Sequence, residues 1–249
     1  MSSKSEQYRL VSPKKMIEPK WRTPESQDIW NTVYVDDTYK FRDVIWDRPP
    51  KHIIDIGSNV GWFSKLASEA QPDSKIFSYE LIKENYLIAV ENLKDCKNVT
   101  LFNSVVVGDN PATSYLHTGK NIGGHKALYE GNDSYISEKR FSEENLSKNL
   151  AEGDTLETDL PNQVSFKDIV SQNNIDYIDF LKIDCEGCEH EILKHIFKHD
   201  LDRKILNMSL EIHGTTQPEW EPLRRELESR FDLVKKGTSG AILICKNKL

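Results

Sequence analysis

Residues 53–61 of the chain read IIDIGSNVG. Isoleucines on both sides of a single acid, Asp55, predict a strand buried on both faces, as the strands of parallel sheets are. Gly57 and Gly61 allow the backbone to turn sharply and to approach a ligand closely. A helix that begins near Gly61 directs free N–H groups at whatever lies over the turn. The pattern therefore predicts a strand, a ligand-binding turn and a helix.

Short β-rich segments and helical patterns alternate along the rest of the chain. Helices are predicted at residues 61–70 and 83–95, and strands at residues 52–56, 76–80, 99–107, 177–184, 208–213, 231–234 and 241–245. This order predicts a Rossmann-like α/β fold with a mostly parallel sheet, right-handed crossovers and helices on both faces. Polar residues follow the carboxyl ends of several strands, where open α/β sheets bind their ligands.

The chain divides by composition into an extension, a large domain and an insertion. Residues 1–48 are polar and predict an N-terminal extension or lid, with roughly the first 20 residues loosely ordered. Residues 49–249 are long enough for one domain with a full core. Residues 108–163 are glycine-rich and break the βα rhythm, so we interpret them as an insertion that covers the substrate. The alternative is a solvated excursion.

Composition excludes several classes of protein. The 249 residues carry a formal net charge of −7, whereas a general nucleic-acid binder needs a basic face. No apolar run approaches the ~18 residues that a membrane span requires. The N-terminus lacks the apolar core of a secretory signal. We therefore expect a cytoplasmic protein with no membrane span.

The chain has four cysteines, too few at this length for a disulfide framework, so we expect reduced thiols. Cys185 and Cys188 have the C-x-x-C spacing of a redox pair or half a zinc site. No second pair follows, since Cys96 and Cys245 are isolated. We therefore interpret Cys185 and Cys188 as structural.

The turn chemistry discriminates between nucleotide ligands. A dinucleotide site has Gly-x-Gly-x-x-Gly after its first strand, whereas this chain has an acid, Asp55, and more widely spaced glycines. A carboxylate there repels a pyrophosphate and suits a positively charged amino group. Glu80, at the end of the second strand, is placed to accept hydrogen bonds from ribose hydroxyls. S-adenosylmethionine meets both demands, although a strand-end acid such as Asp55 is often only a helix cap.

Residues 54–61 (IDIGSNVG) resemble the first motif of class I methyltransferases that depend on S-adenosylmethionine. Residues 179–193 (DFLKIDCEGCEHEIL) and 209–213 (SLEIH) resemble the FkbM-type family within that class. The resemblance extends over about residues 50–246. It implies a seven-stranded sheet whose last strand is antiparallel. It also implies O-methylation of hydroxyl groups, commonly on sugars, glycolipids or polyketide-like products.

The resemblance also implies a set of cofactor-binding residues. The set comprises the first motif, the acid after the second strand and its neighbour, two residues beside the adenine, and the acid that ends the fourth strand. These are Asp55, Gly57, Ser58, Asn59, Gly61, Glu80, Leu81, Ser104, Val105 and Asp184.

Transfer of a methyl group to a neutral hydroxyl needs a base or a metal ion that lowers the pKa of the hydroxyl. The candidates at the carboxyl ends of the fourth and fifth strands are Asp184, Glu186, Glu211 and His213. His213 is the preferred base without a metal, because imidazole titrates near neutral pH. Lys182 is a further catalytic candidate, and pairing with an acid is its structural alternative.

Asp184, Glu211 and His213 also suggest a divalent cation site. Two carboxylates and an imidazole suit Mg²⁺ or Mn²⁺ that binds a sugar diol. Capping or core roles are the alternatives for His213, and a helix-dipole contact is the alternative for Glu186.

The sequence therefore predicts an O-methyltransferase that acts on a sugar, glycan or glycosylated small molecule. One alternative is a ribose 2′-O-methyltransferase on RNA, because Lys182, Asp184 and Glu211 loosely match a Lys/Asp/Glu set, although the acidic charge disfavours nucleic acid. The other is a binding module that retains the fold without catalysis.

Overall fold

A computed structural model of the chain describes residues 24–117, 126–129, 155–157, 160–213, 220–236 and 242–248. The described strands, in chain order, are β1 (His52–Ile56), β2 (Lys75–Glu80), β3 (Val99–Val107), β4 (Ala112–His117), β5 (Lys126–Tyr129), β6 (Thr155–Glu157), β7 (Asn162–Ser165), β8 (Phe180–Ile183), β9 (Asn207–Glu211), β10 (Phe231–Lys236) and β11 (Ile242–Asn247).

The described α-helices are α1 (Pro24–Trp30), α2 (Trp62–Ala70), α3 (Lys83–Asn92), α4 (Phe166–Gln172), α5 (Glu189–Lys198) and α6 (Trp220–Arg230). A π-helical turn at Asn31–Val35 follows α1, and 3-10 turns lie at Phe41–Asp43 and Leu201–Lys204. In these residues no helix is both long and apolar enough to cross a membrane.

Eight of the described strands form one sheet in the order β10-β11-β9-β8-β1-β2-β3-β7. In this sheet β11 alone runs opposite to the other seven strands, which confirms the antiparallel last strand. The predicted count of seven strands is one too low, because β7 pairs in parallel with the end of β3. Chain order reverses between β1 and β8, and ligands of open α/β sheets bind at the carboxyl ends of strands at such a reversal.

The first predicted elements lie where the sequence places them. β1 pairs in parallel with β2 and β8, and Ile53 and Ile54 are fully buried. Gly61 has a φ of +88° and caps α2, and a Cβ there would lie 2.9 Å from Cδ1 of Leu93. Gly61 therefore combines a left-handed backbone with close packing on the segment that ends α3.

Several strands lie in the described part of the predicted insertion at residues 108–163. β4, β5 and β6 form a small antiparallel sheet within it, and β7 extends the main sheet. Residues 118–125, 130–154 and 158–159 lie outside the described residues, so the covering of a substrate stays a prediction.

The described part of the N-terminal extension packs against the main domain. Phe41 is 1% exposed, and its ring centroid lies 5.6 Å from that of Phe63 and 5.0 Å from that of Phe180. Trp46 contacts the same ring at 5.6 Å. These edge-to-face contacts attach residues 34–46 to α2 and β8.

Replacing Phe41 with alanine removes the aromatic centre of this attachment. We expect the free energy of unfolding, measured by urea denaturation, to fall by about 3–5 kcal/mol. Ile45→Ala is the matched control, because the Ile45 side chain is 83% exposed. Similar losses for the two variants would contradict the packing role of Phe41.

Candidate active site

The turn after β1 lies tightly against β8. Gly57 has a φ of +79°, and a Cβ there would lie 1.7 Å from the carbonyl oxygen of Asp184. The N–H groups of Gly57 and Ser58 both donate to the carbonyl oxygen of Tyr79 at 3.0 Å. Only glycine fits this position, and the turn is thereby fixed between β2 and β8.

A buried ion pair lies beneath the turn. Asp55 and Lys182 are register partners on β1 and β8, and Nζ of Lys182 is 3.3 Å from Oδ1 of Asp55. The Ser64 hydroxyl donates to the other carboxylate oxygen at 2.6 Å. Lys182 also donates to the carbonyl oxygens of Ile56 and Gly57. The pair therefore ties the turn to the sheet.

In this arrangement Lys182 and Asp55 stabilise the glycine turn. Burial alone would lower the pKa of Lys182, but the Asp55 and Asp184 carboxylates outweigh it and raise that pKa above its usual value. The protonated amine has no lone pair with which to act as a base. The Asp55 carboxylate is fully buried and lines neither cavity described below, and Gly61 lines neither as well.

Glu80 lies beside the turn after β1, and its carboxylate also stabilises that turn. Its carboxylate accepts hydrogen bonds from the Asn59 N–H at 2.7 Å and from the Ile82 N–H at 2.8 Å. Burial raises the pKa of Glu80 to about 7. Each carboxylate oxygen has a second acceptor position, so the group can still receive hydroxyl donors.

A small cavity opens beside Glu80. The residues predicted to bind the adenosine line it, namely Leu81, Ser104 and Val105. Further lining residues are Tyr79, Ile82, Asn85, Val106, Cys185 and Cys188. Apolar and polar walls are both present, and Glu80 supplies a carboxylate at the side where a ribose is expected.

A larger cavity, of about 350 Å³, lies on the other side of the turn. The two cavities share Gly57, Asn59, Asp184 and Glu186, so they meet at the carboxyl ends of β1 and β8. Ser58 lines only the larger cavity, is 3% exposed, and its hydroxyl has no hydrogen-bond partner among the described residues. This hydroxyl can therefore form a hydrogen bond with water or with a polar ligand.

Beside this junction an imidazole lies among carboxylates. Nδ1 of His213 is 3.0 Å from Oε1 of Glu189, and its Nε2 is 3.3 Å from Oε2 of Glu186. Glu189 is fully buried and accepts from the N–H groups of Cys185 and Gly187, each at 3.0 Å. This contact sets the orientation of the His213 ring.

The charges of this group are mutually dependent. Burial would lower the pKa of His213, but Glu189 and Glu186 raise it to about 9. Burial raises the pKa of Glu186 to about 8. Burial likewise raises the pKa of Glu211, which lines the larger cavity, and the Asp184 carboxylate adds to this increase. The site therefore holds protons that most surface carboxylates have lost.

Glu189 was not among the residues singled out from the sequence. Its only sequence signal is that it is the third acid of the block DCEGCE, residues 184–189. Nothing in the sequence indicates that it contacts His213, 24 positions later.

The group also provides metal ligands. The ligand atoms of Asp184, Glu186 and His213 lie within 4.8 Å of one another. Glu186 stands where Glu211 was predicted, because the turn before α5 brings the Glu186 side chain toward His213. A divalent cation there stays a prediction.

One pair of cysteines differs from the expectation of reduced thiols. Cys185 and Cys188 form a disulfide, with their Cα atoms 5.7 Å apart. The prediction of reduced thiols is wrong for this pair, because the turn before α5 brings the two residues within bonding range. Cys96 and Cys245 are unbonded and buried, as expected of structural cysteines.

Comparison with solved structures relates this fold to known enzymes. The chain is similar to methyltransferase FkbM from Methylobacillus flagellatus KT, with 12% identity, 85% of this chain and 49% of that chain covered, and a TM-score of 0.51. It is also similar to precorrin-6y C5,15-methyltransferase from Geobacter metallireducens GS-15, with 17% identity, 96% and 94% covered, and a TM-score of 0.38. The chain spans about half of the first protein, and that likeness supports the fold alone.

A search of curated proteins finds no match. The family model described as the methyltransferase FkbM domain matches residues 55–233, which include the glycine turn, both ends of the Asp55–Lys182 pair and the His213 group. That span is more than half of the chain. The chain therefore belongs to the FkbM family of S-adenosylmethionine-dependent methyltransferases.

Proposed function

We propose that the protein transfers a methyl group from S-adenosylmethionine to a hydroxyl of a sugar, a glycan or a glycosylated small molecule. The meeting of the two cavities at Gly57, Asn59, Asp184 and Glu186 carries this proposal. A cofactor that spans the turn would have its adenosine on one side and its reactive methyl at the junction. The larger cavity then leaves room for the acceptor.

The residues present fit the cofactor. Glu80 supplies carboxylate oxygens for a ribose diol at the wall of the small cavity, and Leu81 and Val105 supply apolar walls for a base. The hydroxyl of Ser58 has no hydrogen-bond partner within the described part of the chain and suits a polar group of the methionine portion. S-adenosylmethionine supplies an electrophilic methyl group on a positively charged sulfur. The surrounding carboxylates favour that charge.

The acidic walls also favour a neutral acceptor over a polyanion. Asp184, Glu186 and Glu211 line the larger cavity, and Asp28 lies at its rim. Hydroxyl groups donate hydrogen bonds to carboxylates, whereas those carboxylates that have lost their protons repel phosphates. This charge supports a sugar-like acceptor and counts against a ribose 2′-O-methyltransferase on RNA.

His213 is the group that removes the acceptor's proton in this proposal. Glu189 orients the ring through Nδ1, so that Nε2 points toward Glu186 at the junction of the cavities. The acceptor oxygen must lie ~3 Å from the methyl carbon and in line with the sulfur, so the proton leaves beside these carboxylates. A divalent cation held by Asp184, Glu186 and His213 is the alternative means of activation, as in other metal-assisted reactions.

The proposal is tested by calorimetry with S-adenosylhomocysteine, followed by transfer of labelled methyl to a panel of sugars, glycosides and RNA. We expect saturable cofactor binding and methyl transfer to at least one hydroxylated acceptor. Absence of cofactor binding would refute the proposal. Methyl transfer to RNA alone would refute the sugar-like acceptor. Activity lost to a chelator and restored by Mg²⁺ would assign activation to a cation.

Replacing Glu80 with alanine removes a charge-assisted acceptor from the small cavity. The affinity for S-adenosylhomocysteine, measured by calorimetry, is expected to fall by about 1–3 kcal/mol. Glu84→Ala is the matched control, because Glu84 is exposed on the first turn of α3. Unchanged affinity in Glu80→Ala, with the fold intact by circular dichroism, would refute its contact with the ribose.

A base must be unprotonated to act, so methyl transfer should rise with pH until His213 has lost its proton. The kcat/KM of the wild type is expected to increase up to a pH of about 9, which is the pKa of His213 in the free protein. His213→Gln should lower kcat roughly 10²–10⁴-fold and abolish this dependence. His199→Gln is the control, since His199 pairs with Asp109, which lines neither cavity, whereas His213 contacts Glu186, which lines both. A flat wild-type profile would contradict the assignment.

A further inference from the structure

Part of the larger cavity is built from residues outside the matched domain. The family model begins at residue 55, whereas one wall of the cavity comes from the N-terminal extension. The wall residues of this segment are Asp28, Ile29, Thr32, Val33, Thr38 and Tyr39. None of the described residues that line the small cavity comes from this segment. The extension therefore covers the side where the acceptor and the methionine portion are proposed to lie.

Tyr39 connects this wall to the charged groups of the site. Its hydroxyl donates to Oδ2 of Asp184, and its ring centroid lies 5.2 Å from Nζ of Lys182. The ring also packs edge-on against Phe63, with the centroids 5.7 Å apart. Tyr39 is 3% exposed, although it comes from a polar extension. Aromatic, cation–π and hydrogen-bond contacts thus converge on a single side chain.

The backbone around Tyr39 is fixed on its C-terminal side. The buried Asp37 carboxylate accepts from the N–H groups of Phe41 at 3.0 Å and Arg42 at 2.7 Å, which closes a turn around Tyr39. Phe41 then packs into the aromatic group that includes Phe180. The position of the Tyr39 hydroxyl is therefore set by the fold and not by a freely moving loop.

The direction of the hydrogen bond follows from burial. Desolvation, together with the nearby Asp184 and Glu211 carboxylates, holds the pKa of Tyr39 well above its usual value, so the phenol keeps its proton. The phenol donates this proton in a hydrogen bond to the Asp184 carboxylate, and Asp184 lines both cavities. The bond fixes the orientation of the carboxylate at the junction.

We propose that Tyr39 is a positioning residue of the methyl-transfer site: its hydroxyl orients Asp184 and holds the N-terminal extension as the wall of the larger cavity. This inference rests on the proposed function, because it assigns the wall to the space for the methionine portion and the acceptor. A cofactor product bound at the glycine turn leaves more slowly while this wall is held in place. Loss of the hydroxyl should therefore speed its release.

Tyr34 provides a matched control within the same segment. Its hydroxyl donates to the Glu69 carboxylate on α2, which is the same kind of bond made away from both cavities. Tyr39→Phe and Tyr34→Phe each remove one hydroxyl from a buried ring. The two variants differ in whether the lost bond reaches the site.

The experiment measures release of S-adenosylhomocysteine by stopped-flow tryptophan fluorescence, alongside thermal unfolding. Tyr39→Phe is expected to release the product about tenfold faster than the wild type, as loss of one charge-assisted hydrogen bond implies. Tyr34→Phe is expected to release it at the wild-type rate. A fall in thermal stability common to both variants would not produce this difference.

A double-mutant cycle shows whether Tyr39 acts through Asp184. If Asp184→Ala and Tyr39→Phe remove the same interaction, the double variant releases product no faster than the faster single variant. Independent, additive increases would overturn the proposal, as would equal release rates for Tyr39→Phe and Tyr34→Phe. Failure of the wild type to bind S-adenosylhomocysteine would instead overturn the proposed function, so the two failures are distinguishable.

Discussion

The buried ion pair between Asp55 and Lys182 is the contact on which the site depends. It joins β1 to β8 at the reversal of strand order, and Lys182 also bonds the carbonyl oxygen of Gly57. Removing one partner of such a pair leaves an uncompensated charge in the interior, at a cost of about 3–5 kcal/mol. The pair therefore couples the shape of the turn to the stability of the sheet. The ion pair also explains why an acid, Asp55, can lie inside β1.

The two cavities follow from this fixed turn. Gly57 leaves no room for a side chain against Asp184, so the turn and the end of β8 form one continuous surface. The turn divides that surface into a small cavity beside Glu80 and a larger one beneath the N-terminal extension. The matched domain supplies the small cavity, and the extension adds a wall to the larger one.

The carboxylates of the site favour the binding of a positively charged group. The pKa values of Glu80, Glu186 and His213 are about 7, 8 and 9, each above its usual value. Burial is the main cause for the two acids, and neighbouring carboxylates are the cause for the histidine. In the proposed function, a positively charged sulfonium at the junction would replace the retained protons as the balancing charge. Acidic lining and cofactor charge are therefore complementary.

Elements with local signals are predictable from the sequence alone. Hydrophobic period, glycines and strand-end acids locate β1, α2, β3, β10 and β11, and they place Glu80 and Asp184 at the correct edge of the sheet. Which groups meet depends on the tertiary fold. It paired Lys182 with Asp55 across 127 positions, placed Glu189 behind His213, joined Cys185 to Cys188 and brought Tyr39 to Asp184 across 145 positions. Such contacts depend on register, burial and the path of the chain through space, none of which leaves a periodic signal in the sequence.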